Sequence, residues 1–136
     1  MSILIDTNVF LWLAGIEGRL SEKAKAFLDD SDEMLFFSAA SAWEIAIKWS
    51  KGRLTLPAEP APFINEVVSV AELSKLSITI RDSCAVSNLP RHHKDPFDRL
   101  LVAQAQIHGL RLLTADPTLE RYDVDVIALW RDENDD

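Results

Sequence analysis

Cysteine is almost missing from this sequence: Cys84 is the only one in 136 residues. That excludes an internal disulfide and any cysteine-built zinc site. With no nucleophile pattern around it, Cys84 is expected to be a small buried hydrophobe. Long apolar runs are missing too, since none approaches the ~18–20 residues that span a bilayer. The first six residues lack the basic start and long apolar segment of a secretory signal, so a cytoplasmic protein with no membrane partner is expected. Positive charge is scarce, with 14 Lys and Arg against 22 Asp and Glu and a net charge of −8. This argues against a broad basic surface for nucleic acid. Two features soften the argument: part of the excess lies in the tail Arg131-Asp132-Glu133-Asn134-Asp135-Asp136, and acids gathered round a bound cation count as negative only in the ion-free chain.

What is present describes an ordinary globular protein, 48% hydrophobic and 26% charged. The length fits one compact domain with a sizeable core, read as residues 1–131 followed by an acidic tail at 132–136. Ser2-Ile3-Leu4-Ile5 is a short apolar strand that stops at Asp6, and Thr7 to Ala14 turns helical. A second helix follows Ser21 as cap, and Met34 to Phe37 forms a second strand. Ser38 to Lys51 is a helix closed by Gly52, apolar almost all round and therefore expected to be largely buried. Pro57, Pro60 and Pro62 mark a loop before a helix at Phe63 to Ala71. Leu76 to Ile80 is a third strand, and Asp82 to Leu89 a short helix with Asp82 as its possible cap. The basic loop Pro90-Arg91-His92-His93-Lys94 leads to a helix from Pro96 to His108, closed by Gly109. Leu110 to Thr114 is a fourth strand, Pro117 to Tyr122 a helical turn and Val124 to Leu129 a fifth strand. Strands separated by helices predict an α/β fold: a mostly parallel sheet of four to five strands with helices on both faces.

In open parallel sheets ligands bind beyond the carboxyl ends of the strands. Asp6 and Asp116 both follow strands and would face one edge of the sheet, although each also fits a helix N-cap, with Pro117 at the first helical position supporting this for Asp116. In Asp95-Pro96-Phe97-Asp98 the first acid is the expected N-cap. Asp98 falls in the first turn, where the helix dipole favours a carboxylate, and it borders the apolar stripe of Leu101, Val102 and Ala105. An acid there needs a partner, and a cation is a natural one. Glu44 lies on one stripe with Ser41 and Lys48; it either sits on a narrow solvent strip paired with Lys48 or points into a polar cleft, and the residues alone favour the strip. Taken together, the acids fit Mg²⁺ or Mn²⁺, which prefer hard oxygen ligands and suit phosphodiester hydrolysis.

Four blocks carry a family likeness: Asp6-Thr7-Asn8, Ser41-Ala42-Trp43-Glu44-Ile45, His93-Lys94-Asp95-Pro96-Phe97-Asp98-Arg99-Leu100-Leu101 and Leu113-Thr114-Ala115-Asp116. In order and spacing they resemble a PIN-domain ribonuclease, and most closely the VapC toxins of bacterial toxin–antitoxin pairs, from the first strand to about Trp130. The third block is the most specific. The resemblance implies a three-layer α/β/α fold and an acidic catalytic site of Asp6, Glu44, Asp98 and Asp116, with Asp6, Asp98 and Asp116 on the metal. Asp6 and Asp98 would be its principal ligands, and Thr7, Asn8 and Thr114 would orient the carboxylates. Leu119 stands where relatives often carry an aromatic residue, a departure that concerns packing. The resemblance also implies Mg²⁺ (or Mn²⁺) as cofactor, RNA as substrate, a homodimer, and a small antitoxin whose tail covers the site. The loop Arg91 to Lys94 is then the local candidate for phosphate contact.

Other readings fit less well. A haloacid-dehalogenase-like phosphatase needs a second Asp two residues after the first, where this chain has Asn8. A response-regulator receiver needs an Asp at the end of a central strand, and Phe36-Phe37-Ser38 offers none. A non-catalytic interaction domain, with the acids as helix caps, is the alternative from a different class.

Overall fold

The computed structural model describes residues 2–129, so the tail expected at 132–136 lies outside the described residues. Five strands form one wholly parallel sheet in the order β3-β2-β1-β4-β5. They are β1 (Ile3–Ile5), β2 (Leu35–Ser38), β3 (Ser74–Leu76), β4 (Arg111–Thr114) and β5 (Val126–Ala128). The helices are α1 (Thr7–Leu13), α2 (Glu22–Asp30), α3 (Ala39–Ser50), α4 (Pro60–Val70), α5 (Ile80–Ala85) and α6 (Pro96–His108). Short 3-10 turns occupy Val86–Asn88 and Pro117–Arg121.

Side chains alternate across a strand, and a parallel sheet covered on both faces has no polar side to show. β1 follows this rule: Ile3 and Ile5 enter one core and Leu4 the other, all fully buried. The first core is completed by Val9 and Phe10 of α1 and by Phe63, Ile64 and Val68 of α4. The second is built on Leu101, Val102 and Ala105 of α6 together with Leu119. The result is a three-layer α/β/α arrangement. α6 has the boundaries its residues predict, because Asp95 caps it, Pro96 opens it and Gly109 at φ 65° closes it.

Several expectations shift. α4 begins at Pro60 rather than Phe63, because Glu59 is its N-cap and prolines are tolerated in a first turn whose amides have no helical partners. The third strand ends at Leu76. Thr79 leaves it to form a capping box, its hydroxyl accepting from the Asp82 amide while the Asp82 carboxylate accepts from the Thr79 amide. Asp82 is thus the third residue of α5 and not its N-cap, and Ile80 stands 84% exposed. Cys84 on the same short helix is exposed instead of buried. α3 is less buried than its composition predicts: Ala40, Ser41, Glu44 and Ile45 are covered, but Trp43 and Trp49 are exposed.

Several polar residues lie wholly inside this frame, among them Ser38, Asp82 and Gln104. Gln104 of α6 accepts from Ser38 Oγ and donates to Ser77 O and Asp82 Oδ2, tying α6 to the end of β2 and to α5. A fully bonded buried amide of this kind fixes register at little net cost.

Candidate active site

The sheet register determines where the acids can meet. Ile5 lies beside Phe37 on one side and Leu113 on the other, so Asp6, Ser38 and Thr114 stand at the same edge. β1 is also the point where strand order reverses, with β2 and β3 to one side and β4 and β5 to the other. Ligand crevices open beyond the carboxyl ends of strands at such a switch.

Asp6 is 4% exposed and satisfies both readings of its position. One carboxylate oxygen caps α1, accepting from Val9 N at 2.8 Å, and the other accepts a short hydrogen bond from Thr114 Oγ1. Burial pushes its pKa up to about 6; the bonds from Thr114 and Val9 pull it down, and the charges of Glu44 and Asp116 push it up again. A rise of about two units costs roughly 3 kcal/mol when the group is ionised. That is of the order of burying one or two of the aliphatic side chains of β1, so the core can hold an ionised Asp6 in place.

Glu44 is 5% exposed, which rules out the solvent strip, although the pairing with Lys48 is present at 2.7 Å. Thr7 Oγ1 donates to Glu44 Oε1 at 2.7 Å and lies 2.9 Å from Ser41 Oγ. Burial lowers the pKa of Lys48, but the hydrogen bond and charge of Glu44 outweigh this and hold the ammonium above its ordinary value.

Asp95 caps α6 as expected, accepting from Phe97 N at 2.8 Å and Asp98 N at 3.3 Å. Asp98, one turn in, has a side chain 20% exposed. Burial, then the charges of Asp95, Asp6 and Glu44, push its pKa up to about 7, with His93 pulling the other way. Asp116 caps the turn Pro117–Arg121 and accepts from Thr118 N at 2.9 Å. Burial raises its pKa, but the bonds from Thr118 and His93 prevail and hold it below the usual carboxylate range.

The four predicted acids therefore gather at one edge, close enough for their charges to act on one another. Thr7 and Thr114 orient two of them, and Asn8 is exposed nearby in α1. Besides Glu44, His93 lies elsewhere than its residues suggest. Instead of reaching outward with its loop, it turns in. Asp95 N donates to His93 Nδ1 at 2.9 Å, which assigns the proton of the neutral ring to Nε2. That nitrogen donates to Asp116 Oδ2 at 2.7 Å and lies 3.3 Å from Asp98 Oδ2. The loop is pinned further by His93 N donating to Tyr122 Oη at 2.9 Å. Possible ligand atoms of His93, Asp98 and Asp116 lie within 4.8 Å of one another. No spacing rule links His93 to an acid 23 residues later; only the fold does.

This donor set fits a hard divalent cation. Its oxygens are carboxylates, its one nitrogen is committed as a donor, and burial together with the acidic neighbours raises Asp98 to about 7, a cost that a bound cation would relieve.

Comparison with known proteins gives a consistent result. The family model for the PIN domain matches residues 3–125. Ribonuclease VapC22 of Mycobacterium tuberculosis (strain ATCC 25618 / H37Rv) is 31% identical over 123 residues, covering 89% of this chain and 92% of that protein. Among solved structures, FitAB bound to a DNA fragment aligns with a TM-score of 0.73 at 19% identity, covering 96% of this chain and 97% of the other. VapBC2 from Rickettsia felis, bound to a DNA fragment from their promoter, aligns with a TM-score of 0.70 at 12% identity, covering 94% and 98%. These two likenesses bear on the fold.

Proposed function

The chain belongs to the PIN domain family and, within it, to the VapC group; from that premise we propose that it is a divalent-metal-dependent endoribonuclease toxin, held in check by a small antitoxin. The observation that carries the reading is the gathering of Asp6, Glu44, Asp98 and Asp116 beyond the switch point of the sheet, with Asp98 raised to about 7 by burial and by its acidic neighbours. The rival reading, acids serving only as helix caps, accounts for Asp6, Asp95 and Asp116. It leaves Glu44 in mid-helix and the carboxylate of Asp98 unexplained.

In this reading Asp6, Asp98 and Asp116 hold Mg²⁺ or Mn²⁺. When bound, the ion supplies charge neutralisation at the attacked phosphate and activation of the attacking water. Thr114 fixes Asp6 against rotation, so its carboxylate is ready before substrate arrives. Glu44, gripped by Thr7 and Lys48, keeps a buried carboxylate in a fixed orientation beside the cluster. Thr118 N–H and His93 Nε2–H both donate to Asp116 and hold that carboxylate below the usual range.

RNA is the substrate in this reading, and the protein works in the cytoplasm. In this reading an antitoxin segment would dock in the cavity of about 460 Å³ between α1 and α4, lined by Leu13, Pro57, Phe63, Val67 and Val70 together with Glu66. It suits the apolar face of an amphipathic segment. Trp43 and Trp49, exposed on α3, are apolar surface for a homodimer contact. The test of the function is to sequence RNA 5′ ends after brief induction of the wild type and of Asp98→Asn. New discrete ends are expected in the wild type alone; an unchanged RNA pool would remove the ribonuclease reading.

A further inference from the structure

The chain has few cations, yet four of its 14 Lys and Arg line one cavity of about 340 Å³: Lys48, Lys51, Arg53 and Lys94. Glu44 lines it too, so the cavity shares a wall with the acidic cluster. Asp95 is the other acid there, and its carboxylate is occupied by the amides of Phe97 and Asp98. Four cations against two carboxylates leave an excess of positive charge on a protein of net charge −8.

Local backbone rules put these cations in place. α3 ends in a Schellman motif: Gly52 at φ 71° lets its amide reach Trp49 O at 3.1 Å and the Arg53 amide reach Lys48 O at 2.9 Å. The motif folds Arg53 back beside the last turn that carries Lys48. Lys94 follows His93, whose ring and amide are both anchored inward, and Lys94 is left on the cavity side of the loop. Lys48 is committed to Glu44. Among the described residues Lys51, Arg53 and Lys94 make no ion pair.

We propose that this cavity is a phosphate-binding subsite for the RNA strand next to the reacting phosphate, with Lys51, Arg53 and Lys94 as its contacts and Phe97 as its apolar wall. Cations that have no carboxylate partner and lie beside an acidic centre are placed to release counterions to a polyanion. Arg53 can in addition grip a phosphate with two parallel hydrogen bonds. The inference rests on the ribonuclease reading and gives the strand a path, from the acidic edge past Glu44 into the cavity. It also changes the reading of the basic loop: of its cations Lys94 faces the strand, while His93 serves the carboxylates.

The test measures binding of a labelled oligouridylate as a function of salt at constant Mg²⁺, on an Asp98→Asn background that prevents cutting. The variant is Lys51→Ala/Arg53→Ala/Lys94→Ala. A matched triple, Arg19→Ala/Lys75→Ala/Arg81→Ala, removes equal charge from exposed positions outside the cavity. The slope of log affinity against log salt falls by about 0.7 for each single-strand phosphate that a cation no longer neutralises, hence by about 2 for the cavity triple, with affinity roughly tenfold or more weaker. The matched triple is expected to stay close to the background slope. Equal reductions in both triples, or none in the cavity triple, would overturn the subsite; cleavage by the wild type in the same preparation would then leave the ribonuclease reading standing. No RNA binding on the background and no cleavage by the wild type would overturn both. A cavity triple that keeps its RNA affinity but no longer binds the antitoxin would assign the cavity to the protein partner and likewise overturn the subsite.

Discussion

Asp82 and Asp98 are the same residue type at the same helical position, the third residue of α5 and of α6, yet their surroundings push them in opposite directions. Asp82 is wholly buried, and burial alone would raise its pKa. The bonds from Gln104 and Thr79 and the charge of His108, 3.1 Å away, outweigh that and hold it below the usual carboxylate range. Asp98 is less buried, yet burial first and then the charges of Asp95, Asp6 and Glu44 push it up to about 7. Burial therefore does not distinguish a structural acid from a functional one. What accompanies burial does: hydrogen-bond donors and His108 outweigh it at Asp82, whereas carboxylates add to it at Asp98, as expected of a site that would hold a cation.

The two acids are expected to differ most in activity. Asp98→Asn is expected to lower RNA cleavage by roughly three orders of magnitude, as for loss of a preorganised electrostatic group, with the fold intact by circular dichroism. Asp82→Ala should do the reverse. It strands Gln104, His108 and the Thr79 amide, costing about 2–4 kcal/mol in urea denaturation, while cleavage per folded molecule stays near wild type. Should Asp98→Asn cut RNA normally, or Asp82→Ala be as stable as wild type, the contrast between the two acids would fail.

The ion-free protein carries the contrast into its pH dependence. Between about pH 4 and pH 7 the folded chain holds more protons on Asp6 and Asp98 than the unfolded chain does. These two groups therefore contribute stability that is complete below the ordinary carboxylate value and lost as pH rises through about 6 and about 7. Asp82 and Asp116, whose values are lowered, contribute stability present at neutral pH and lost in acid below their folded values. Adding Mg²⁺ should raise the melting temperature by several degrees at about pH 8 and by clearly less at about pH 5 in calorimetric scans, where protons compete with the ion. An equal rise at both pH values would contradict the assignment. The smallest effect is expected at Asp95: Asp95→Ala should cost ~1 kcal/mol of stability as a lost N-cap and leave most of the cleavage rate.

Much of this was readable from residue order, for identifiable reasons. α6 was legible because cap, opening proline and closing glycine lie within its own sequence. Asp6 and Asp116 were legible because parallel strands bring their carboxyl ends to one edge. The rest depended on interactions between distant parts of the chain or on side chains competing for the same backbone. Thr79 left its strand because a side chain three residues on offered its amide a better bond. Glu44 turned inward because Thr7, 37 residues earlier, holds it there, and His93 because Asp116 does. Trp43 and Trp49 stayed exposed because an apolar helix does not state which of its sides the remaining chain will cover.

The carboxylates around Asp98 are expected to bind a divalent ion without the participation of Asp82. Titrating Mn²⁺ into the wild type, Asp98→Asn and Asp82→Asn at about pH 8, and following the paramagnetic resonance signal of the free ion, tests this most directly. Saturable uptake by the wild type and by Asp82→Asn, weakened about tenfold or more in Asp98→Asn, is the expected result. Uptake by Asp98→Asn equal to that of the wild type, or none by the wild type, would contradict it.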